Sequence, residues 1–116
     1  MISAVVITLN EARNIVDCIQ ALRKVTEDVI VLDSGSTDGT QDLATMHGAK
    51  VIPIKWIGYG PSKNLAIEHV KNDWILSIDA DEVLTPELIK EIKETELDRD
   101  NIYAINILSL IHISEP

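Results

Sequence analysis

The chain contains no phenylalanine, and only two tryptophans and two tyrosines stand in its place. A core without many large rings has to be filled by Ile, Leu, Val and Ala, a mixture that suits parallel strands covered by helices. One cysteine, Cys18, excludes an internal disulfide and a cysteine-based zinc cluster. It falls on the apolar face of a helical pattern. Basic residues are also scarce, ten Lys and Arg against nineteen Asp and Glu, for a formal net charge of -9. That balance argues against a broad electrostatic grip on nucleic acid or on an anionic membrane. The opening MISAVVITLN lacks the basic start and long apolar region of a signal peptide, and no apolar window reaches membrane-spanning length. The expectation is a cytoplasmic protein with no nucleic-acid partner and no transmembrane segment. His47, His69 and His112 show no ligand spacing and read as surface or core-edge residues.

What the chain does have is length for one domain, 116 residues of which 46% are hydrophobic. Four short Ile- and Val-rich runs read as strands: SAVVITL (3–9), DVIVLD (28–33), KVIPI (50–54) and WILSID (74–79). Between the first two, Ile15, Cys18, Ile19 and Leu22 follow the spacing of a one-sided helix, with Asn10 placed to cap it. A second helix is expected from Thr40 to His47, ending at Gly48. Pro53 predicts that the third strand is an edge or ends early. A third helix fits SKNLAIEHV, and a fourth starts at TPELIKEIKE, where Thr85 caps and Pro86 takes the first helical position. Alternating strands and helices predict an α/β fold with a mainly parallel sheet and flanking helices. Ligands of such sheets bind outside the carboxyl ends of the strands. Thr8, Asn10 and Glu11, then Asp33 and Ser34, then Asp79 and Asp81 all fall at that edge and should converge on one crevice.

The strongest chemical signal is DADE, Asp79 to Glu82, set directly against an apolar strand. Two carboxylates one residue apart at a strand end can enter the same cleft, where they are hard oxygen ligands for Mg or Mn. Crowded carboxylates repel, and a cation or a ligand hydroxyl compensates them. The structural alternative is that Asp79 ends the strand while Asp81 and Glu82 make a turn. Asp33 in VLDSGSTDGT is open to several readings: a phosphoacceptor, a base or ribose contact, or a capped turn. Neither a Walker loop nor a G-x-G-x-x-G occurs. In WIGYGPSKN, Gly58 and Gly60 allow close backbone approach, and Lys63 supplies a point charge for phosphate or a solvated surface charge.

Together, VVITLNEARNI, VIVLDSGSTDGT, GYGPSKNLAI and WILSIDADE resemble glycosyltransferase family 2, in order and at natural spacing over residues 2 to about 95. The likeness is to lipopolysaccharide-core glucosyltransferases and related cell-envelope sugar transferases. It implies the nucleotide-binding half of a GT-A fold, a nucleotide-sugar donor such as a UDP-sugar, a glycan or glycolipid acceptor, transfer with inversion, and a divalent cation on the diphosphate. By the same resemblance Thr8, Asn10 and Glu11 match the donor-site motif of the first strand, Asp33 the carboxylate that contacts the base, and Lys63 the basic position of the loop. Asp79 and Asp81 match the D-x-D pair, the first nearer the ribose and the second at the metal. Parent enzymes of this branch act at the inner face of the cytoplasmic membrane.

The family's general base lies downstream of D-x-D, and neither Glu82 nor Asp100 matches it. Residues 1–107 are therefore expected to be the donor half of a truncated domain, with little transfer activity alone. The segment LSLIHISEP resembles sequencing-adaptor read-through, so 108–116 are expected to be a non-native tail. The main alternative is a non-catalytic nucleotide-sugar binding module. A nucleotidyltransferase would want a glycine-rich basic loop after the first strand, where TLNEARN carries only Arg13. A receiver-like domain would want more acid there than Glu11.

Overall fold

The Ile- and Val-rich runs become parallel strands: β1 (Ile2–Thr8), β2 (Val29–Asp33), β3 (Lys50–Pro53) and β4 (Trp74–Asp79). The computed structural model describes residues 2–56, 58, 61–62, 64–65, 68–70, 74–94 and 109–112. Helices α1 (Ile15–Leu22), α2 (Thr40–Met46) and α3 (Pro86–Glu94) lie between and after the strands. A short β5 (Ser109–His112) pairs antiparallel with β4. The sheet order is β3-β2-β1-β4-β5. From β1 the chain steps outward to β3, then returns to the other side of β1, so strand order reverses between β1 and β4. That reversal is where an open α/β sheet leaves a crevice beyond its strand ends.

Both faces of the sheet are covered. Ile2, Ala4 and Val6 of β1, Val29 and Val31 of β2, and Leu76 and Ile78 of β4 pack with the apolar stripes of α1, α2 and α3. The alternate residues Val5, Ile30, Leu32 and Ile75 form a second cluster, with Ile7, Ile52, Ile54 and Val70 against it. Ile15, Ile19 and Leu22 of α1 are completely buried, each contributing about 1.5–3 kcal/mol by area alone. β3 is the sheet edge and ends on Pro53, whose missing N–H costs nothing there.

The helix boundaries show where the expectations hold and where they do not. Asn10 does not cap α1: a turn intervenes in which Glu11 carbonyl accepts from the N–H groups of Asn14 and Ile15, and Asn14 precedes the helix without a side-chain cap. α2 ends at Met46, and Gly48 takes the left-handed conformation (φ +93°) one residue after the His47 cap. A Cβ there would lie 2.5 Å from Nη1 of Arg23, which donates to the Gly48 carbonyl at 3.2 Å. At α3, Thr85 Oγ1 accepts from Leu88 N–H at 3.1 Å, the cap expected from TPEL. Thr85→Ala should cost about 1 kcal/mol, measured as a lower urea midpoint. Of the helix expected over 62–70, Ser62, Asn64 and Leu65 are helical, while Lys63 lies outside the described residues. The boundary expected at residue 107 lies outside them too.

Candidate functional site

Parallel strands ending in polar residues present side chains and free backbone groups along one edge, and β1, β2 and β4 do so here. The register sets Thr8 of β1 beside Asp33 of β2, and Ile7 beside Asp79 of β4. Just beyond lies a cleft of about 360 Å³ lined by Ile7, Thr8, Leu9, Glu11, Ser34, Trp56 and Asp79. Thr8, Glu11 and Asp79 therefore lie on one cleft. Asn10, Asp33 and Asp81 are not among the lining residues, and Lys63 lies outside the described ones.

Asp33 is buried, and five donors within the chain reach its carboxylate. Thr8 Oγ1 (2.7 Å) and Ser36 Oγ donate to Oδ1; the N–H groups of Gly35 (3.1 Å) and Ser36 (2.8 Å) and Nε2 of Gln41 (2.6 Å) donate to Oδ2. Burial pushes its pKa up, but the bonds from Ser36, Gln41 and Thr8 outweigh burial and hold it at about 2, below the usual 3.8. The parity of the strands explains the placement. Thr8 and Asp33 share the parity of Val6 and Val31, on the face that α1 and α2 cover, so Asp33 meets α2 through Gln41. Asp79 shares the parity of Ile75 on the other face.

Asn10 performs a similar fastening role with φ +55°, a left-handed backbone that Asn tolerates better than most residues. Its N–H donates to Ser36 Oγ at 2.8 Å, and its Oδ1 accepts from Thr37 N–H at 2.8 Å. Glu11 N–H donates to Thr40 Oγ1 (2.9 Å), and Ala12 N–H to Asp38 Oδ2 (3.1 Å). Thr40 Oγ1 also donates to Asp38, which holds that exposed carboxyl below its ordinary pKa. The loop after β1 is thus tied to the loop after β2, leaving the side chain of Glu11 to accept from Asn14 Nδ2 at the cleft.

At the end of β4 the chain turns through DADE. Ala80 is buried in the core, while Asp79 and Asp81 on either side of it are exposed. Glu82 closes the turn: its Oε1 accepts from Asp79 N–H (3.2 Å) and its N–H donates to Asp79 carbonyl (2.9 Å). Below, Sγ of Cys18 in α1 lies 3.9 Å from the same carbonyl. Burial raises the Cys18 thiol to about 12, and the charges of Glu82, Asp81, Asp79 and Glu11 push in the same direction. Four carboxylates therefore impose one negative field on this corner. Among the described residues no three acidic, His or Cys side chains already form a metal cage. An exposed carboxylate pair fits a cation that takes one or two protein oxygens and completes its shell with water and ligand phosphates, as Mg does.

The residues that sequence reasoning left out are the apolar ones, Ile7, Leu9 and Trp56. Trp56 stands three residues beyond β3, at the same edge as the polar groups, and applying the strand-end rule to apolar residues would have found it.

Known proteins resemble this chain in sequence and fold. A family model described as Glycosyl transferase family 2 matches residues 3–108. A protein of Rickettsia bellii described as an uncharacterized glycosyltransferase is 45% identical over 111 residues, 92% of this chain and 38% of its own length. The lipopolysaccharide core biosynthesis glycosyltransferase LpsC of Rhizobium meliloti is 36% identical over 87% of this chain and 39% of its own. This chain thus spans less than two fifths of the curated relatives it matches. Glucosyl-3-phosphoglycerate synthase of Mycobacterium tuberculosis, solved with Mn2+, UDP and glucosyl-3-phosphoglycerate, superposes with a TM-score of 0.61 at 29% identity, covering 69% of this chain and 33% of that one. Its likeness, on a mainly parallel sheet with flanking helices, identifies a GT-A fold. Sequence motifs, sheet order and the family match over residues 3–108 agree: the chain belongs to glycosyl transferase family 2.

Proposed function

We propose that residues 1–107 are the donor-binding half of a metal-assisted, inverting glycosyltransferase. It would move a sugar from a UDP-sugar to a cell-envelope glycan or lipopolysaccharide-core acceptor. The observation that carries this reading is the cleft at the β1/β4 reversal, where Thr8, Glu11, Ser34 and Asp79 line one volume and Asp81 follows two residues on. The UDP and Mn2+ bound to the mycobacterial synthase favour a UDP-sugar and a divalent cation; the likeness to LpsC favours the envelope acceptor.

Within this reading, Glu11 and Asp79 bind the nucleotide directly, Asp79 by accepting from ribose hydroxyls, Thr8 shapes the cleft wall while its hydroxyl holds Asp33, and Lys63 meets phosphate. Asn10 and Asp33 contribute by fixing the two loops; any contact Asp33 makes to the base is made by a carboxylate already accepting five hydrogen bonds. Asp81 and Asp79 hold Mg or Mn, and such a cation, when bound, stabilises the charge developing on the leaving diphosphate as a Lewis acid. A general base for the acceptor hydroxyl belongs to the parent protein beyond this chain, since Glu82 is committed to the turn with Asp79. Among the described residues no helix is long and apolar enough to cross a membrane. We place the full-length parent in the cytoplasm, peripheral to the inner face of the membrane.

Calorimetric titration of the 116-residue chain with UDP and UDP-glucose tests the proposal. Binding is expected with manganese present and to be at least tenfold weaker after chelation, because Asp79 and Asp81 would hold a cation that offsets the charge of the diphosphate. Equal affinity with and without the metal would sink the metal-assisted reading. Absence of binding to the folded chain would sink the autonomous donor site.

A further inference from the structure

Among the described residues, Leu9 and Trp56 are two of the few exposed large apolar side chains, at 55% and 49% exposure, and both line the cleft. Scattered exposed apolar residues need no explanation, but two sharing one cleft with Glu11 and Asp79 do. With Ile7 they supply the apolar lining, mixed with the polar Thr8, Glu11, Ser34 and Asp79. The position of Trp56 is fixed by the sheet. Ile54 N–H donates to Asp33 carbonyl at 2.8 Å, which keeps the chain leaving β3 alongside the end of β2 and brings Trp56 to the cleft two residues later. β3 and β4 lie three strand positions apart, roughly 14 Å at the usual spacing. The indole therefore comes from the edge of the sheet farther from Asp81.

A nucleoside diphosphate carries charge at one end and a flat, weakly polar ring at the other, so its two ends can meet Asp81 and Trp56 on opposite sides of the sheet edge. We infer that Trp56, together with Leu9, is the platform on which the nucleobase of the donor stacks, with the diphosphate directed toward Asp79 and Asp81. The inference rests on the donor-binding reading above. An aromatic face grips any base by its π surface, so Trp56 supplies affinity for the nucleoside and leaves recognition of the base edge to groups such as Ser34.

Titrating the 116-residue chain and its Trp56→Ala and Trp56→Phe variants with UDP and with pyrophosphate, all in manganese, separates the two ends of the ligand. Trp56→Ala is expected to weaken UDP roughly tenfold and to leave pyrophosphate unchanged. Trp56→Phe should stay near wild type in affinity, while the quenching of tryptophan emission by UDP disappears with the indole. Unchanged UDP affinity in Trp56→Ala, an equal loss for pyrophosphate, or quenching that persists in Trp56→Phe would overturn the inference and leave the donor site standing. Failure of the wild-type chain to bind UDP would overturn both.

Discussion

Asp33→Ala is expected to lower the unfolding free energy by about 3 kcal/mol, seen as a lower urea midpoint at unchanged slope. The carboxylate is the common acceptor of β1 (Thr8), the loop after β2 (Gly35 and Ser36) and α2 (Gln41). Water can replace it for the exposed Gly35 N–H but not easily for the buried Thr8 hydroxyl. Each bond to a charged group is worth about 1.5–3 kcal/mol, and not all five losses add. Proton linkage gives an independent reading. Because the folded pKa is depressed, from 3.8 to about 2, the contribution is complete above about pH 5 and is lost as pH falls through about 2. The shift is worth about 2 kcal/mol. Asp33→Asn should therefore flatten the stability profile between pH 5 and 2. A variant as steeply acid-sensitive as wild type would assign that loss to other carboxylates.

Asp81→Ala is expected to weaken UDP binding tenfold to a hundredfold in manganese and to leave the weak metal-free binding unchanged. Asp79→Ala should weaken both. The distinction follows from position: Asp79 lines the cleft beside Ile7 and Thr8, whereas Asp81 is exposed on the turn and not part of the cleft wall. An Asp79 carboxylate that accepts from ligand hydroxyls acts whether or not a cation is bound. One that only holds the cation does not. Calorimetry of the two variants with and without chelator decides between them, and identical behaviour would mean that the pair acts solely through the metal. Neither variant is expected to unfold the chain, because both carboxylates are exposed and the core contact of this turn is made by Ala80.

The sequence by itself determined the succession of strands and helices, because each run carries its own period and its own punctuation: Pro53 at an edge, Gly48 after α2, Thr85 and Pro86 opening α3. It also determined the family and the edge at which the candidate cleft lies, since motifs placed after apolar strands need no knowledge of packing. Which carboxylate serves the fold and which faces the cleft was decided only by tertiary structure. β1 and β2 are apolar on both faces, so alternation along them does not say which face the helices cover. That choice brings Gln41 to Asp33 and leaves Asp79 on the opposite parity. Asn10 reads as a helix cap in isolation, yet its partners Ser36 and Thr37 are 26 and 27 positions away. Trp56 reads as one aromatic in a glycine-rich loop, and it becomes part of the cleft through the bond that Ile54 makes to the end of β2. Hydrogen-bond saturation and cleft walls are assembled from segments far apart in the chain, and no local pattern encodes them.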